Sequence, residues 1–131
     1  MKIQSGIVRG FAQLIAAYGG SAFLVWLLFP SLPFESVLAR AAAADLLGTI
    51  AIFGFSMIFN NSSVYDPYWS VAPVPMAVYF AVALDNAVSL REWLIILLIA
   101  LWGIRLTFNF LRSWKGSGFE DWRYVRFRLM F

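Results

Sequence analysis

The chain has 131 residues, of which 62% are hydrophobic and 13% are charged, with a formal net charge of +3. Soluble domains carry roughly 45–50% apolar and about 25% charged residues, so this composition predicts a membrane protein. Histidine and cysteine are both absent, which excludes disulfides, Ser-His and Cys-His nucleophile pairs and most zinc sites. No metal site is expected, and without a recognisable nucleic-acid-binding module we expect no nucleic acid partner.

Four apolar stretches approach the roughly 20 residues that cross a bilayer as a helix. They cover residues 11–29, 41–59, 68–84 and 93–111. We therefore predict an all-α, multi-pass transmembrane helical bundle that forms one membrane domain over residues 1–131. A basic start before an apolar run also fits a secretory signal, but the length of the run and the later spans favour a retained helix.

The second span carries a single charge, Asp45. An ionisable residue within a span predicts a functional carboxylate that carries a proton or binds substrate. The alternative is a residue near the membrane boundary that reaches water or pairs with Arg40. On the same helix Ala44 and Gly48, four residues apart, form a small-residue face suited to close helix packing.

The first polar segment, NNSSVYDPYWSVAPVP, covers Asn60–Pro75 and separates the second span from the third. Asp66 and Tyr68 are its candidate catalytic residues, because a carboxylic acid or a tyrosine can give a proton to a carbonyl-derived anion. A turn with aromatic residues at the membrane interface is the alternative interpretation. Pro73 and Pro75 predict a break near the start of the third span.

The second polar segment, RLTFNFLRSWKGSGFEDWRYVRFR, covers Arg105–Arg128 and carries six of the ten Lys and Arg residues. Arg105, Asn109 and Arg112 are spaced i, i+4, i+7 and share one helix face. Guanidinium groups bind two phosphate oxygens at once, so this face predicts an anion site. The alternative is a snorkelling arginine followed by ordinary cytoplasmic anchors.

The later part of the second polar segment contains a glycine pair and a dense polar cluster. Gly116 and Gly118 permit a turn, but they follow no strand, so a Rossmann fingerprint is rejected. If residues 119–128 are helical, Glu120 pairs with Arg123 or Tyr124 on one face, which could hold a bound cofactor or brace the helix. The alternation of Trp, Tyr and Phe with Arg in this part also fits an amphipathic segment on anionic lipid.

The distribution of basic residues predicts the topology. Four spans place both termini on one side, and most Lys and Arg residues outside the spans fall on that side, which makes it cytoplasmic. These residues are Lys2, Arg9, Arg112, Lys115, Arg123, Arg126 and Arg128, against Arg40 and Arg91 on the other side. We therefore expect both polar segments to meet at the cytoplasmic face of an integral membrane protein, in the inner membrane of a bacterium or the endoplasmic reticulum of a eukaryote.

The two polar segments together resemble a family of uncharacterised membrane proteins grouped with steroid 5-alpha reductases. The resemblance covers about half the chain and rests on the Asp-x-x-Trp-Ser and Glu-Asp-x-Arg-Tyr elements. It implies reduction of a carbon–carbon double bond in a lipid-like or steroid-like substrate, with hydride from NADPH and a proton from a polar side chain. On this basis Asn60 and Trp69 belong to the substrate cavity. The implied cofactor-binding residues are Arg105, Asn109, Arg112, Asp121, Arg123 and Tyr124.

Members of that family continue to a segment of the Arg-His-Pro-Asn-Tyr type, whereas this sequence has no histidine and stops at Phe131. We therefore expect the N-terminal half of such an enzyme, as a fragment or one piece of a split protein, incomplete for catalysis alone. The expected partners are the lipid bilayer, a lipophilic small molecule, and a C-terminal half or a second copy. A small four-span transporter and a non-catalytic membrane scaffold are the competing hypotheses.

Overall fold

The computed structural model describes residues 2–84, 88–118 and 120–130, and it places the side chains of these residues except for residues 2–5 and 128. Within that part all regular structure is helical, and four stretches are long and apolar enough to cross a membrane. These stretches are Gly6–Ser31, Val37–Ile58, Ser62–Leu84 and Leu90–Ser113. The prediction of an all-α bundle with four spans is confirmed. The side chains of Lys2 and Arg128, used in the topology prediction, lie outside the described part.

The first helix, α1, covers Lys2–Leu28 and so begins earlier than the predicted span. Nothing in the sequence from Lys2 to Gly10 breaks a helix, and the apolar run simply extends it. A 3₁₀ turn, Phe29–Ser31, follows, with Pro30 near its start. Because proline has no N–H to continue the helical ladder, the chain turns there.

The second helix, α2, covers Val37–Ile58 and is capped at both ends. The Ser36 side chain accepts a hydrogen bond of 3.4 Å from the Ala39 N–H at the start. At the other end Asn60 adopts a positive φ of 51°, a conformation that asparagine tolerates better than most residues. The N–H of Asn61 then donates to the Ser56 carbonyl at 3.0 Å, which closes the helix.

The third span consists of three pieces rather than one continuous helix. A 3₁₀ turn at Ser62–Tyr65 is followed by α3 at Tyr68–Val71 and α4 at Pro73–Leu84. Prolines 73 and 75 lack the N–H groups that would pair with the carbonyls four residues earlier, which interrupts the ladder. The predicted start at residue 68 was too late, because the polar residues before it also fold into the bundle.

The fourth span is α5, Leu90–Ser113, and a short helix, α6, Trp122–Arg128, follows it. A capping box starts α5. The backbone N–H of Glu92 donates to the Ser89 hydroxyl oxygen, and the backbone N–H of Ser89 donates to the Glu92 carboxylate. Residues 85–87, part of the predicted charged turn, lie outside the described part. Helix α1 packs against α2, and α5 packs against α3 and α4.

The core lies where α1, α2, the 3₁₀ turn of the first polar segment and the end of α5 meet. Its buried members are Leu14, Ala17, Ile52, Val64 and Trp114. Ile52 and Val64 have no exposed surface. The first polar segment therefore supplies part of the core instead of forming a loop outside the membrane bundle.

The start of α1 and the segment after α5 lie at the same end of the bundle. The backbone N–H of Ser117 donates to the Gly6 carbonyl at 3.1 Å. Gly116 adopts a φ of +93° and lies so close to Gly6 that a Cβ would meet the Gly6 carbonyl oxygen. A side chain at Gly10 would meet the Ser117 nitrogen at 2.7 Å. Close backbone approach at these glycines therefore docks the second polar segment onto α1.

Candidate functional site

The two polar segments are joined by direct hydrogen bonds. The backbone N–H of Ser62 donates to Glu120 Oε1 at 2.8 Å, and the N–H of Asp121 donates to Ser63 Oγ at 2.9 Å. The Asn61 side chain adds a longer bond of 3.4 Å to the Ser117 carbonyl. This geometry agrees with the expectation that the two polar segments meet.

Tyr124 and Asp66 form the shortest link in this junction. The Tyr124 hydroxyl donates to Asp66 Oδ1 at 2.6 Å across a sequence separation of 58 residues. Burial, followed by the hydrogen bond to the Asp66 carboxylate, raises the pKa of Tyr124. Asp66, a predicted catalytic acid, thus lies at the junction with α6 and does not line either cavity described below.

Asp121 and Arg123 form an ion pair with a distance of 2.8 Å between Arg123 Nε and Asp121 Oδ1. Hydrogen bonds from the Arg123 side chain and N–H hold the pKa of the Asp121 carboxyl below its usual value. The same side-chain hydrogen bond raises the pKa of Arg123. The Arg123 side chain is 56% exposed, so the ion pair contributes little to stability. Two of the predicted cofactor-binding residues thus pair with each other.

A cavity of about 460 Å³ lies between α1, α2 and the broken third span. Its wall is almost entirely apolar, and Trp26, Phe29 and Tyr79 line it. Among the described residues that line it there is no lysine or arginine. This wall suits a neutral lipophilic molecule, because an anionic group would lie there without a counter-ion. The cavity combines an apolar wall with a few convergent polar groups, as ligand sites do, and we call it the lipophilic cavity.

Tyr68 and Asp45 form the polar centre of the lipophilic cavity. The Tyr68 hydroxyl lies 2.9 Å from Asp45 Oδ1 and 3.0 Å from the Asp45 carbonyl oxygen. Gly48 makes room for it, because a Cβ at that position would lie 2.5 Å from the hydroxyl oxygen. The small-residue face predicted on α2 therefore receives a tyrosine side chain. Asp45 does not pair with Arg40, whose guanidinium donates to the Pro30 carbonyl at 3.4 Å.

Two further polar groups of the lipophilic cavity come from α1. The Tyr18 hydroxyl donates to the Val64 carbonyl at 3.2 Å and is therefore occupied. Ser21 lies one turn further along, is only 5% exposed, and its Oγ has no hydrogen-bond partner among the described residues. Sequence analysis missed both residues, since a tyrosine and a serine in an apolar helix give no signal of which way they point.

The remaining predicted site residues lie away from the lipophilic cavity. Arg105, Asn109 and Arg112 are exposed on α5, and no hydrogen bond or ion pair holds their side chains within the described part of the chain. Trp69 is 66% exposed and packs edge-on against Tyr65. Asn60 is exposed at the end of α2. The structure thus brings Tyr68 together with Asp45, and it separates both from the predicted cofactor-binding residues on α5.

A second apolar cavity, of about 490 Å³, lies on the other side of the broken span, between it and α5. Ser70 and Thr107 line it and their hydroxyl oxygens are 2.8 Å apart. Gly103 allows the close approach, since a Cβ there would overlap the Ser70 carbonyl. None of the predicted site residues lines this cavity.

In a comparison with known proteins, residues 52–131 match the family described as "Protein of unknown function (DUF1295)". The chain is also similar to "Uncharacterized protein C594.04c" of Schizosaccharomyces pombe, with 35% identity over 88 residues. That match covers 63% of this chain and 25% of the relative, so the chain spans about a quarter of the length of this curated relative. No solved structure matches the chain. The matched region includes the broken third span, α5 and α6.

Proposed function

The chain belongs to the DUF1295 family, and we propose that it forms the substrate-binding side of a membrane-embedded, NADPH-dependent reductase of the steroid 5-alpha reductase type. The substrate is a neutral lipid with a carbon–carbon double bond conjugated to a carbonyl group. One observation carries the proposal: the Tyr68 hydroxyl, 2.9 Å from the Asp45 carboxylate, lines an apolar cavity within the membrane spans.

The cavity supports a lipophilic substrate through its lining. It is bounded by apolar and aromatic side chains, and Phe29 and Tyr79 meet edge to face at 5.3 Å on its wall. Each buried CH₂ group of a ligand gains about 0.8 kcal/mol from leaving water. A lipid that enters from the bilayer would keep its apolar body in this wall and bring its polar end to Tyr68.

Tyr68 can act as the proton donor. Its hydroxyl carries one donor proton, which Asp45 accepts in the ligand-free protein and which a bound ligand carbonyl takes over. In the proposed reaction the double bond breaks as its β-carbon takes up a hydride, and the carbonyl oxygen takes up the Tyr68 proton to give an enol. The enol returns to the ketone when its α-carbon takes a proton from water and its oxygen gives the proton back to Tyr68. A positioned acid of this kind contributes about 10²–10⁴-fold to a rate.

The described residues fit NADPH only in part. Arg105 and Arg112 lie on one exposed face of α5 and suit its phosphate groups. Arg123 and Tyr124, by contrast, already pair with Asp121 and Asp66. Bound NADPH would supply the hydride, and no described residue on the cavity wall forms a nicotinamide pocket. We therefore assign to this chain the substrate cavity, the proton donor and an anion-binding face.

Conversion of chalcone to dihydrochalcone tests the proposal, because chalcone is a neutral conjugated enone. Membranes that contain the chain together with the rest of the longer Schizosaccharomyces pombe relative should form dihydrochalcone in an NADPH-dependent manner, measured by mass spectrometry. Tyr68→Phe should lower the rate by about 100-fold or more. Tyr65→Phe is the matched control, since the Tyr65 ring stacks on Tyr68 but lies outside the cavity lining. Equal rates in wild type and Tyr68→Phe would refute the assignment of the donor.

A proton-coupled transporter is the second candidate, and the position of Asp45 favours it. A carboxylate that faces a cavity inside a span is also what such a transporter requires. In that case proteoliposomes should show proton-coupled flux that is lost in Asp45→Asn and does not depend on NADPH. Reduction of chalcone without any such flux would decide for the reductase.

A further inference from the structure

Ser21 carries a polar group that no contact in the folded chain explains. Its Oγ is buried, with the residue only 5% exposed, and it has no hydrogen-bond partner among the described residues. Buried hydroxyls are nearly always hydrogen-bonded, because burial without a partner costs the group its solvation. Ser21 also lines the lipophilic cavity, so a molecule in that cavity can reach the hydroxyl.

The register of the helices places Ser21 at the depth of the Tyr68 hydroxyl. Ala17 on α1 and Ile52 on α2 are both fully buried and belong to the same core cluster. Because the two helices run antiparallel, one turn further along α1 and one turn back along α2 brings Ser21 to the level of Gly48. Gly48 is the residue whose missing side chain accommodates the Tyr68 hydroxyl.

We propose that Ser21 is a second hydrogen-bond donor to the ligand oxygen that Tyr68 binds, on the opposite wall of the lipophilic cavity. This inference rests on the proposed function and adds to it a ligand-recognition residue on α1. Two donors converging on one oxygen select a carbonyl, which accepts two hydrogen bonds through its two lone pairs. They also stabilise negative charge that develops on that oxygen during reduction.

The other polar groups nearby do not satisfy Ser21. Tyr18, on the same face of α1, is engaged by the Val64 carbonyl. Asp45 accepts from Tyr68 in the ligand-free protein. The ligand oxygen is thus the acceptor that this wall lacks, and the selected ligand carries no negative charge because no described lysine or arginine lines the cavity.

Two probes that differ by one oxygen test the inference. Dihydrochalcone carries a carbonyl group, and diphenylpropane is its hydrocarbon analogue. We would measure the binding of both in tritiated form to the purified chain by scintillation proximity, and express recognition of the carbonyl as the ratio of the two affinities. Wild type should prefer dihydrochalcone, and Ser21→Ala should reduce this preference by about fivefold, the loss expected for one hydrogen bond.

Stability without ligand separates recognition from a structural role. If Ser21 is unpartnered until a ligand binds, Ser21→Ala should raise the thermal midpoint of the free protein by about 3 °C. Ser56→Ala is the matched control: Ser56 is also buried, but its Oγ donates to the Phe53 carbonyl at 2.7 Å and it does not line the cavity. That variant should keep the preference for dihydrochalcone and should not gain stability.

The outcomes distinguish this inference from the proposed function. A preference for dihydrochalcone that Tyr68→Phe abolishes and Ser21→Ala leaves intact would overturn the role of Ser21 and keep that of Tyr68. A wild-type protein that binds both probes equally would overturn both. A lowered midpoint in Ser21→Ala, with unchanged preference, would assign the serine to packing alone.

Discussion

Gly48 and Tyr68 touch where the second span meets the broken third span, and a Cβ at Gly48 would lie 2.5 Å from the Tyr68 hydroxyl oxygen. The glycine thereby lets the hydroxyl reach the Asp45 carboxylate at 2.9 Å. A residue with no side chain on α2 thus determines where the proposed proton donor lies.

Gly48→Ala should displace the Tyr68 ring and break its hydrogen bond to Asp45. Overpacking of this kind costs about 1–3 kcal/mol, so the thermal midpoint should fall and chalcone binding should weaken. Gly54→Ala on the same helix is the control, because a Cβ there meets nothing within 4 Å, and alanine favours a helix over glycine by up to about 1 kcal/mol. Equal loss in both variants would mean that replacing either glycine of α2 has the same cost, and that Gly48 has no special role.

Tyr124→Phe should destabilise the junction of the two polar segments. It removes the 2.6 Å hydrogen bond to Asp66 and leaves a half-buried carboxylate without that donor. The expected cost is about 1–3 kcal/mol of unfolding free energy, measured by denaturant titration in detergent. Tyr65→Phe is a matched control in the same region, since the Tyr65 hydroxyl makes no hydrogen bond among the described residues. Similar losses from the two variants would contradict the assigned contact.

The stability difference between wild type and Tyr124→Phe should depend on pH. Burial and the bond to Asp66 raise the pKa of Tyr124 above the ordinary value of 10.0. A raised pKa contributes stability that is complete below the unfolded value and is lost as pH rises towards the folded value. The advantage of wild type should therefore be constant at neutral pH and shrink above about pH 10. An advantage that grows with alkaline pH would contradict the contact.

Gly10→Ala should undock the second polar segment from α1. A Cβ at Gly10 would meet the Ser117 nitrogen at 2.7 Å and the Gly116 Cα at 2.9 Å, and neither backbone atom can move alone. We expect faster proteolysis after α5 and a lower thermal midpoint. Gly6→Ala should do neither, because a Cβ there is free of contacts within 4 Å. Proteolysis at the wild-type rate in Gly10→Ala would argue against this docking.

Binding of NADPH tests the anion-binding face of α5. Arg105→Gln and Arg112→Gln should each weaken binding by about tenfold or more, since a hydrogen bond to a charged group contributes about 1.5–3 kcal/mol. Fluorescence titration of NADPH in nanodiscs of neutral lipid would measure this. Arg126→Gln removes the same charge from an exposed position on α6 and serves as the control. A loss of the same size in all three variants would mean that NADPH binding depends on the net charge of the protein and not on a site on α5.

The spans could be predicted from hydropathy because each is a run of apolar residues near the length of a bilayer crossing. The start of the third span could not, because Ser62–Tyr65 is polar and aromatic and turns inward only through contacts with α1, α2 and the second polar segment. Periodicity correctly placed Arg105, Asn109 and Arg112 together on α5. It gave no sign that this face points away from the lipophilic cavity.

The polar centre of the cavity illustrates the same limit. Asp45 and Tyr68 were each recognised as candidates, but 23 residues separate them and their pairing depends on how α2 packs against α3. Ser21 gave no signal, since a serine within an apolar helix usually satisfies its hydroxyl on its own backbone. Only the packed bundle shows that this hydroxyl is left without a partner.

The infrared carbonyl stretch of bound chalcone shows whether the Tyr68 hydroxyl in the cavity binds and polarises the carbonyl of a neutral enone. The measurement uses carbonyl-labelled chalcone and needs no cofactor. We predict a lower stretching frequency in the protein than in an alkane solvent, with the shift lost in Tyr68→Phe and kept in Tyr65→Phe. The same frequency in wild type and Tyr68→Phe would contradict the claim.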